Sequence, residues 1–239
     1  MSIKPIHIGI IGGMGPQASI RLHELIIELV AAEFEEIRCH QFPLITHLSL
    51  PIKDFISDPS LRHESLPLLR HAQRVLEDGS VDIAVLACNT AHLLLDDVPQ
   101  LKRLPLVSLP QSTIKKAQND GVTKLGLLAS PTTFRMHLYE KHAIEAGLSI
   151  LKPNQSEQKI VEKIIRTTIS GHNGPLEQRQ LKDIASSLQS RGAQRVALGC
   201  TELSVVMKNN NDPIFIDSLK ATSEEIVRRT VQKKQQVTE

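Results

Sequence analysis

Short runs of β-branched and aliphatic residues alternate along the chain with longer segments in which apolar residues recur at helical spacing. The short runs predict strands because they are apolar along their whole length, and the longer segments predict helices. Strands are predicted at residues 6–11, 44–50, 83–87, 104–109, 125–129, 148–151, 196–198 and 213–217. Helices are predicted at residues 20–34, 66–76, 134–146, 158–169, 176–189 and 218 to about 233. This alternation is typical of the α/β class, in which helices cover both faces of a parallel sheet.

The pattern also repeats within the chain. The segment His7-Ile-Gly-Ile-Ile-Gly12 resembles Lys124-Leu-Gly-Leu-Leu-Ala129, residues 79–90 resemble 192–201, and residues 104–108 resemble 212–216. The three pairs occur in the same order and lie about 110 residues apart, which indicates an internal duplication. We therefore predict two pseudosymmetric parallel-sheet αβα domains, with the active site in the cleft between them.

Composition and charge narrow the function classes. Apolar residues make up 41% of the 239 residues and 28 basic side chains nearly balance 26 acidic ones, so neither disorder nor a nucleic-acid or polybasic membrane surface is expected. The longest stretch without a charged side chain, residues 5–20, is shorter than the roughly 18 residues needed to cross a bilayer. A single Lys precedes it and no small-residue cleavage site follows it, so we expect a cytoplasmic protein.

Two of the three cysteines occupy equivalent positions of the repeat. Cys88 and Cys200 each follow a buried strand and precede a predicted helix, whereas Cys39 lies outside the repeat. Ligands of open α/β sheets bind at this carboxyl edge, and free backbone N–H groups with the helix dipole favour a thiolate there. A lone cysteine is more often a small buried apolar residue, but the duplicated context favours reactivity. Two thiols across a cleft suit stereoinversion at a carbon acid, in which one group removes a proton and the other delivers one.

Two further features have competing interpretations. Gly13-Met-Gly-Pro-Gln-Ala18 satisfies a dinucleotide-binding pattern, but no acidic residue ends the second strand and Pro16 removes an amide donor. We expect this loop instead to bring the backbone close to a ligand. His92 follows Cys88 by one helical turn, where a capping or helix-surface role competes with a catalytic one.

Three motifs resemble the cofactor-independent aspartate/glutamate racemase family over nearly the whole chain: Gly12-Gly-Met-Gly-Pro16, Ala87-Cys-Asn-Thr-Ala-His92 and Gly199-Cys-Thr-Glu202. Glutamate racemases usually carry His after Gly-Cys-Thr, whereas the aspartate racemase branch carries Glu. The resemblance implies Cys88 and Cys200 as the two bases, no pyridoxal phosphate or other cofactor, no metal, and often a homodimer. It also implies a first domain of residues 1–106 plus 214–239, with a C-terminal crossing helix, and a second domain of residues 107–213.

The resemblance further implies a set of substrate-binding residues: Met14, Lys53, Asn89, Thr90, Ser130, Thr133, Lys159, Thr201 and Glu202. Those beside the cysteines match turns that cradle the α-carboxylate and tune the thiols, and Ser130 with Thr133 matches the polar turn that opens the second half. Lys159 matches a contact to the side-chain carboxylate in aspartate racemases. The aspartate racemase branch usually has the motif Pro-Asp-Arg after the second strand, and in this chain Lys53 takes the place of the Arg. A Lys ammonium group is a point charge, whereas an Arg guanidinium group can bind a carboxylate through two parallel hydrogen bonds.

The function expected from the sequence is that of an isomerase that inverts a small-molecule amino acid, an acidic one, with aspartate favoured over glutamate. The nearest alternatives are two-cysteine enzymes acting on hydantoins, maleate or arylmalonates. A non-catalytic dicarboxylate-binding protein is the competing class, and a dinucleotide oxidoreductase comes third.

Overall fold

The computed structural model describes residues 6–34, 36–53 and 59–238, which form two parallel sheets with flanking helices. The strands are β1 His7–Gly12, β2 Leu44–Ser49, β3 Ile83–Leu86, β4 Leu106–Val107, β5 Lys124–Leu128, β6 Ser149–Leu151, β7 Arg195–Leu198 and β8 Phe215–Asp217. The helices are α1 Pro16–Ala32, α2 Leu66–Asp78, α3 Leu109–Asn119, α4 Pro131–Arg135, α5 Glu140–Glu145, α6 Gln155–Ile169, α7 Pro175–Ser190, α8 Thr201–Val206 and α9 Ser218–Thr238. Short 3-10 helices lie at Cys39–Gln41, Pro59–Ser65, Thr90–Leu95 and Pro99–Arg103.

The two sheets have the same strand order, which confirms the α/β class and the duplication. The orders are β2-β1-β3-β4 and β6-β5-β7-β8, and each strand pairing in the described residues is parallel. Ile10 pairs with Val85 in the first sheet, as Leu127 pairs with Ala197 in the second. The carboxyl ends of β3 and β7, after which Cys88 and Cys200 follow, are therefore equivalent places in the two halves.

Each half supplies a helix to the core of the other half. Helix α3 follows β4 of the first sheet, but its Ile114 packs in the same core cluster as Leu125 of the second sheet. Helix α9 follows β8 of the second sheet, and its fully buried Ile226 packs with Ile8 and Ile10 of the first sheet. Burying one such side chain contributes roughly 1.5–3 kcal/mol, so the exchanged helices tie the two halves together.

Two predicted elements differ in the structure. The helix predicted over 134–146 is divided into α4 and α5, because His137 adopts a φ of 51° that a continuing right-handed helix excludes. The strand predicted over 104–109 is only the two residues of β4, and the unpredicted helix α3 begins at Leu109. Ser108 caps α3 by accepting a hydrogen bond from the backbone N–H of Gln111 at 3.4 Å.

The sheets also place the domain boundaries differently from the sequence. Both residues of β4 belong to the first sheet, so a boundary between residues 106 and 107 would cut this strand. Strand β8 pairs with β7 in the second sheet, although the sequence assigned residues 214–217 to the first domain. The chain therefore passes from the first half to the second after Val107 and returns to the first half after Asp217.

Candidate active site

Cys88 lies in a tight turn directly after β3. Its side chain is 6% exposed and belongs to an apolar cluster that includes Met14 and Leu50. The backbone N–H of Cys88 donates to the carbonyl oxygen of Leu86 at 2.8 Å, which turns the chain before the Thr90–Leu95 helix begins. Met14, one of the predicted substrate-binding residues, is thus a buried neighbour of the Cys88 cluster.

His92 is a structural part of this turn. Its Nδ1 lies 2.9 Å from the carbonyl oxygen of Cys88 and 3.2 Å from that of Asn89, and both are acceptors, so Nδ1 carries the proton. Its Nε2 accepts the backbone N–H of Leu109, the first residue of α3, at 3.3 Å. Burial lowers the pKa of His92 to about 4. His92 is therefore a neutral ring whose two nitrogens both bind backbone groups, Nδ1 as a donor and Nε2 as an acceptor.

Cys200 is the N-cap residue of α8, and its thiol is hydrogen-bonded to a carboxylate. Its Sγ donates to Oε2 of Glu202 at 2.9 Å, and the hydroxyl of Thr201 lies 3.3 Å from the same oxygen. All three side chains are at most 4% exposed. Burial and the adjacent negative charge raise the pKa of the Cys200 thiol well above its ordinary value.

This finding corrects one expectation. The helix N-terminus was expected to favour a thiolate at Cys200, but desolvation and the Glu202 carboxylate both oppose the second negative charge. The resting form of Cys200 is a thiol. A charge on Cys88 raises the pKa of Cys200 further, so the two sulfurs lie within electrostatic reach of each other.

Two glycines of the β1–α1 turn lie in close contact with other parts of the protein. Gly13 and Gly15 have φ angles of 91° and 78°. A Cβ added at Gly13 would overlap the backbone of Leu50, and one added at Gly15 would overlap the carboxylate of Glu202. The loop of the first half therefore lies directly against the Glu202 side chain of the second half, which explains the glycines without a dinucleotide.

Three buried hydroxyl groups meet where the two halves approach each other. Thr90 of the first half lies 3.1 Å from Ser130 and 3.2 Å from Thr133 of the second, measured between hydroxyl oxygens. Ser130 and Thr133 lie 3.0 Å apart, and Ser130 also caps α4 by accepting the N–H of Thr133. The structure thus brings together three of the predicted substrate-binding residues, of which Thr90 lies 40 and 43 positions before the other two.

Asn89 is held by residues that the sequence did not single out. The hydroxyl of Tyr139 donates to Oδ1 of Asn89 at 2.6 Å, and Nδ2 of Asn89 donates to the hydroxyl of Ser218 at 3.2 Å. Tyr139 lies 50 residues from Asn89, outside every motif, and Ser218 lies 129 residues away. The one available signal was that Tyr139 is the only tyrosine in a chain without tryptophan.

The two predicted lysines are exposed, unlike this buried group. Nζ of Lys53 is 2.5 Å from Oε2 of Glu64, and both side chains are about half exposed. Residues 54–58, which follow Lys53 and include the end of its motif at Asp54, lie outside the described residues. Lys159 is exposed on α6, and within the described part of the chain its ammonium group has no ion pair.

A cavity of about 600 Å³ lies between α1, α9 and the edge of the second sheet, near Arg21 and Asp217, but none of the predicted site residues lines it. Over residues 6–34, 36–53 and 59–238, no three His, Cys, Asp or Glu side chains are grouped so as to hold a metal. No helix in that part of the protein is long and apolar enough to span a membrane.

Comparison with known proteins gives one consistent result. The family model for Asp/Glu/hydantoin racemases matches residues 11–226. The broad specificity amino-acid racemase RacX of Bacillus subtilis (strain 168) is 23% identical over 215 residues, which are 88% of this chain and 92% of the relative. The crystal structure of an aspartate racemase homologue from Pyrococcus horikoshii OT3 is similar over 96% of this chain and 100% of its own, with 27% identity and a TM-score of 0.77. The Picrophilus torridus aspartate racemase has a TM-score of 0.73 at 21% identity, over 94% of each chain.

Proposed function

Because this chain belongs to the Asp/Glu/hydantoin racemase family, and is thereby an isomerase of the racemase type, we propose that it inverts an acidic amino acid with Cys88 and Cys200 as paired bases. The observation that carries the proposal is the placement of the two buried cysteines after β3 and β7, equivalent strands of the duplicated halves. Two acid–base groups on opposite sides of one carbon are what inversion requires.

In the proposed reaction, one cysteine thiolate removes the α-proton and becomes a thiol. The electron pair left on the α-carbon then takes a proton from the thiol of the other cysteine, on the opposite face. No net proton is consumed, and the two cysteines exchange protonation states in each turnover. The chemistry needs no cofactor, since the thiols themselves supply the base and the acid.

Glu202 is proposed to control the proton of Cys200. As long as the carboxylate accepts the Cys200 hydrogen bond, that cysteine is a thiol and acts as the acid. For the reverse direction to start from the resting thiol form, Cys200 has to become the base, and the carboxylate that accepts its hydrogen bond can receive its proton. Thr201, bonded to the same oxygen, stabilises the negative charge on Glu202 when the thiol proton stays on sulfur.

The substrate α-carboxylate is proposed to bind at the hydroxyl cluster of Thr90, Ser130 and Thr133. These hydroxyls are buried and hydrogen-bond to one another, and that of Ser130 also accepts the backbone N–H of Thr133. A carboxylate accepts several hydrogen bonds at once, so it can replace the contacts among them. The cluster lies beside the Cys88 turn, since Thr90 is two residues from the thiol.

Lys159 is the proposed contact for the side-chain carboxylate. Lys53, the other lysine expected to bind substrate, pairs with Glu64, and its substrate contact stays a prediction. We expect Lys159→Met to raise KM for aspartate at least tenfold and to leave KM for alanine within twofold. Equal changes for both amino acids would contradict this role. The preference for aspartate over glutamate rests on Glu202, on this lysine and on the two similar proteins described as aspartate racemases or homologues.

The reaction is tested by proton NMR in D₂O. Purified protein without added cofactor is incubated with single enantiomers of aspartate, glutamate and neutral amino acids, and the α-proton signal is followed together with chiral chromatography. Loss of the signal with appearance of the other enantiomer supports racemisation and ranks the substrates. Exchange with hydantoins or isomerisation of maleate favours the related two-cysteine enzymes, and binding without exchange favours a dicarboxylate-binding protein.

The roles of the cysteines are tested by single substitutions. Cys88→Ser and Cys200→Ser are expected to abolish racemisation in both directions, and each is expected to retain slow α-proton exchange of one enantiomer, opposite in the two variants. Cys39→Ser is the matched control, since Cys39 is exposed and lies outside the repeat. A double cysteine variant with near wild-type activity would refute the mechanism. The homodimer and the cytoplasmic location expected from the sequence stay predictions.

A further inference from the structure

Tyr139 is fully buried and connects the two halves at the Cys88 turn. It lies in the second half, at the residue before α5, and its hydroxyl reaches Asn89 of the first half at 2.6 Å. The backbone of the same segment is tied to the hydroxyl cluster, because the N–H of Leu138 donates to the carbonyl oxygen of Thr133 at 3.2 Å. One short segment of the second half thus contacts both the cluster and the residue beside Cys88.

The amide of Asn89 makes a hydrogen bond at each end. Its oxygen accepts from Tyr139, its nitrogen donates to Ser218 at the start of α9, and its side chain is 1% exposed. The family resemblance implied that Asn89 contacts the substrate. The observed hydrogen bonds make its side chain a structural link between the Cys88 turn, the second half and α9, and the substrate contact stays a prediction.

We propose that Tyr139 is a positioning residue for Cys88, acting through the hydrogen bond between its hydroxyl and the Asn89 amide. The inference rests on the proposed function for its catalytic meaning, but the geometry it describes does not depend on the substrate. On one side, His92 holds the carbonyl groups of Cys88 and Asn89. On the other side, Tyr139 holds the Asn89 side chain, so the turn that carries the thiol is fixed from both directions.

The chemical state of Tyr139 suits this role. Burial raises the pKa of its phenol, so the hydroxyl stays a neutral donor over the pH range in which cysteine chemistry operates. Removing the hydroxyl while keeping the ring would leave the buried oxygen of Asn89 without this donor. Such an acceptor destabilises the arrangement that buries it and favours states in which the turn opens to water.

The test compares the alkylation rates of the individual cysteines. Wild type and Tyr139→Phe are treated with iodoacetamide without substrate, and the labelling of each cysteine is followed by mass spectrometry. The exposed Cys39 serves as the internal reference. We expect Cys88 in Tyr139→Phe to react about five- to tenfold faster relative to Cys39, because a lost buried hydrogen bond changes a local opening equilibrium by about that factor. Cys200 is expected to change less than twofold.

Two further variants separate positioning from general loosening. Thr168→Val removes another fully buried hydroxyl, which donates to the carbonyl oxygen of Ile164 at 2.8 Å within α6, and it should leave both labelling rates unchanged. Ser218→Ala removes the second partner of Asn89 and should accelerate Cys88 in the same direction as Tyr139→Phe. Tyr139→Phe keeps the aromatic ring, so the fold is expected to be retained and is checked by circular dichroism.

The outcomes are distinct. Unchanged labelling of Cys88 in both Tyr139→Phe and Ser218→Ala, or equal acceleration of Cys88 and Cys200, would overturn the positioning role. Selective acceleration of Cys88 supports it, and it should be accompanied by a lower kcat for racemisation with KM changed less than twofold. If wild-type protein exchanges no α-proton from any amino acid, the proposed function fails while the labelling result still decides the role of Tyr139.

Discussion

Replacing Glu202 by Gln should lower the pKa of the Cys200 thiol. The carboxylate accepts the thiol hydrogen bond at 2.9 Å and opposes ionisation of the sulfur. Glutamine has nearly the same shape, which matters because the carboxylate lies directly against Gly15. The substitution therefore removes a charge without creating a cavity, and its amide N–H can donate to a thiolate.

The size of the effect follows from the distance. Two unit charges 2.9 Å apart repel each other by about 6 kcal/mol at an effective dielectric constant of about 20. Rearrangement of the thiolate and of neighbouring groups reduces this repulsion, and burial continues to oppose ionisation in the variant. We therefore expect the pKa of Cys200 to fall in the variant, because the charge on Glu202 is removed while the burial of the thiol is kept.

The assay is the pH dependence of cysteine alkylation, resolved for each cysteine by mass spectrometry, because the thiolate is the reactive form. Cys200 in Glu202→Gln should reach half-maximal reactivity at a lower pH than in the wild type. Glu177→Gln is the matched control, since Glu177 accepts the N–H of Gly174 at the start of α7 and should not affect Cys200. A Cys200 titration that is the same in wild type and Glu202→Gln would refute the electrostatic reasoning.

Three further predictions concern stability. Gly15→Ala should lower the melting temperature and expose Cys200 to alkylation, because a positive φ costs alanine about 1 kcal/mol and its Cβ displaces Glu202. Ile226→Ala should reduce the free energy of unfolding in urea by about 2–5 kcal/mol, and a loss below 1 kcal/mol would contradict the packing of α9 in the first core. His92 has a pKa of about 4 in the folded protein, below its unfolded value, so its contribution to stability is present above about pH 6.5 and is lost as pH falls towards 4. The loss should reach about 3 kcal/mol, and His92→Gln should flatten this part of the urea-measured stability profile between pH 7 and 4.

Much of the architecture was predictable because it depends on order along the chain. Buried parallel strands are short, continuous apolar runs, and all eight were located to within a few residues. The duplication was visible because both halves use the same sequence of strand, turn and small residue. The equivalent placement of Cys88 and Cys200 followed directly, since each residue after a strand lies at the carboxyl edge of its sheet.

Predictions failed where local patterns met tertiary constraints. The segment 134–146 has helical spacing throughout, but the chain turns at His137 so that Tyr139 enters the core. Helix α3 was not predicted because the apolar residues before it were interpreted as a strand that continues to residue 109. The core against which α3 packs also belongs to the other half, which the local sequence does not indicate. Strand β8 pairs with β7 in the second sheet, so the chain returns to the first half after Asp217 and not at residue 214, where the sequence had placed the boundary.

By itself, the sequence determined the α/β class, the repeat and the two cysteine positions, because these properties are local and periodic. Only the tertiary structure decided the environment of those cysteines. Whether Cys200 is a thiol depends on its burial and on the orientation of Glu202, and the Cys88 turn depends on Tyr139, which is remote in the chain. Desolvation and hydrogen bonding act through space, so residues with equivalent sequence positions acquire different chemistry when the folded chain surrounds them differently.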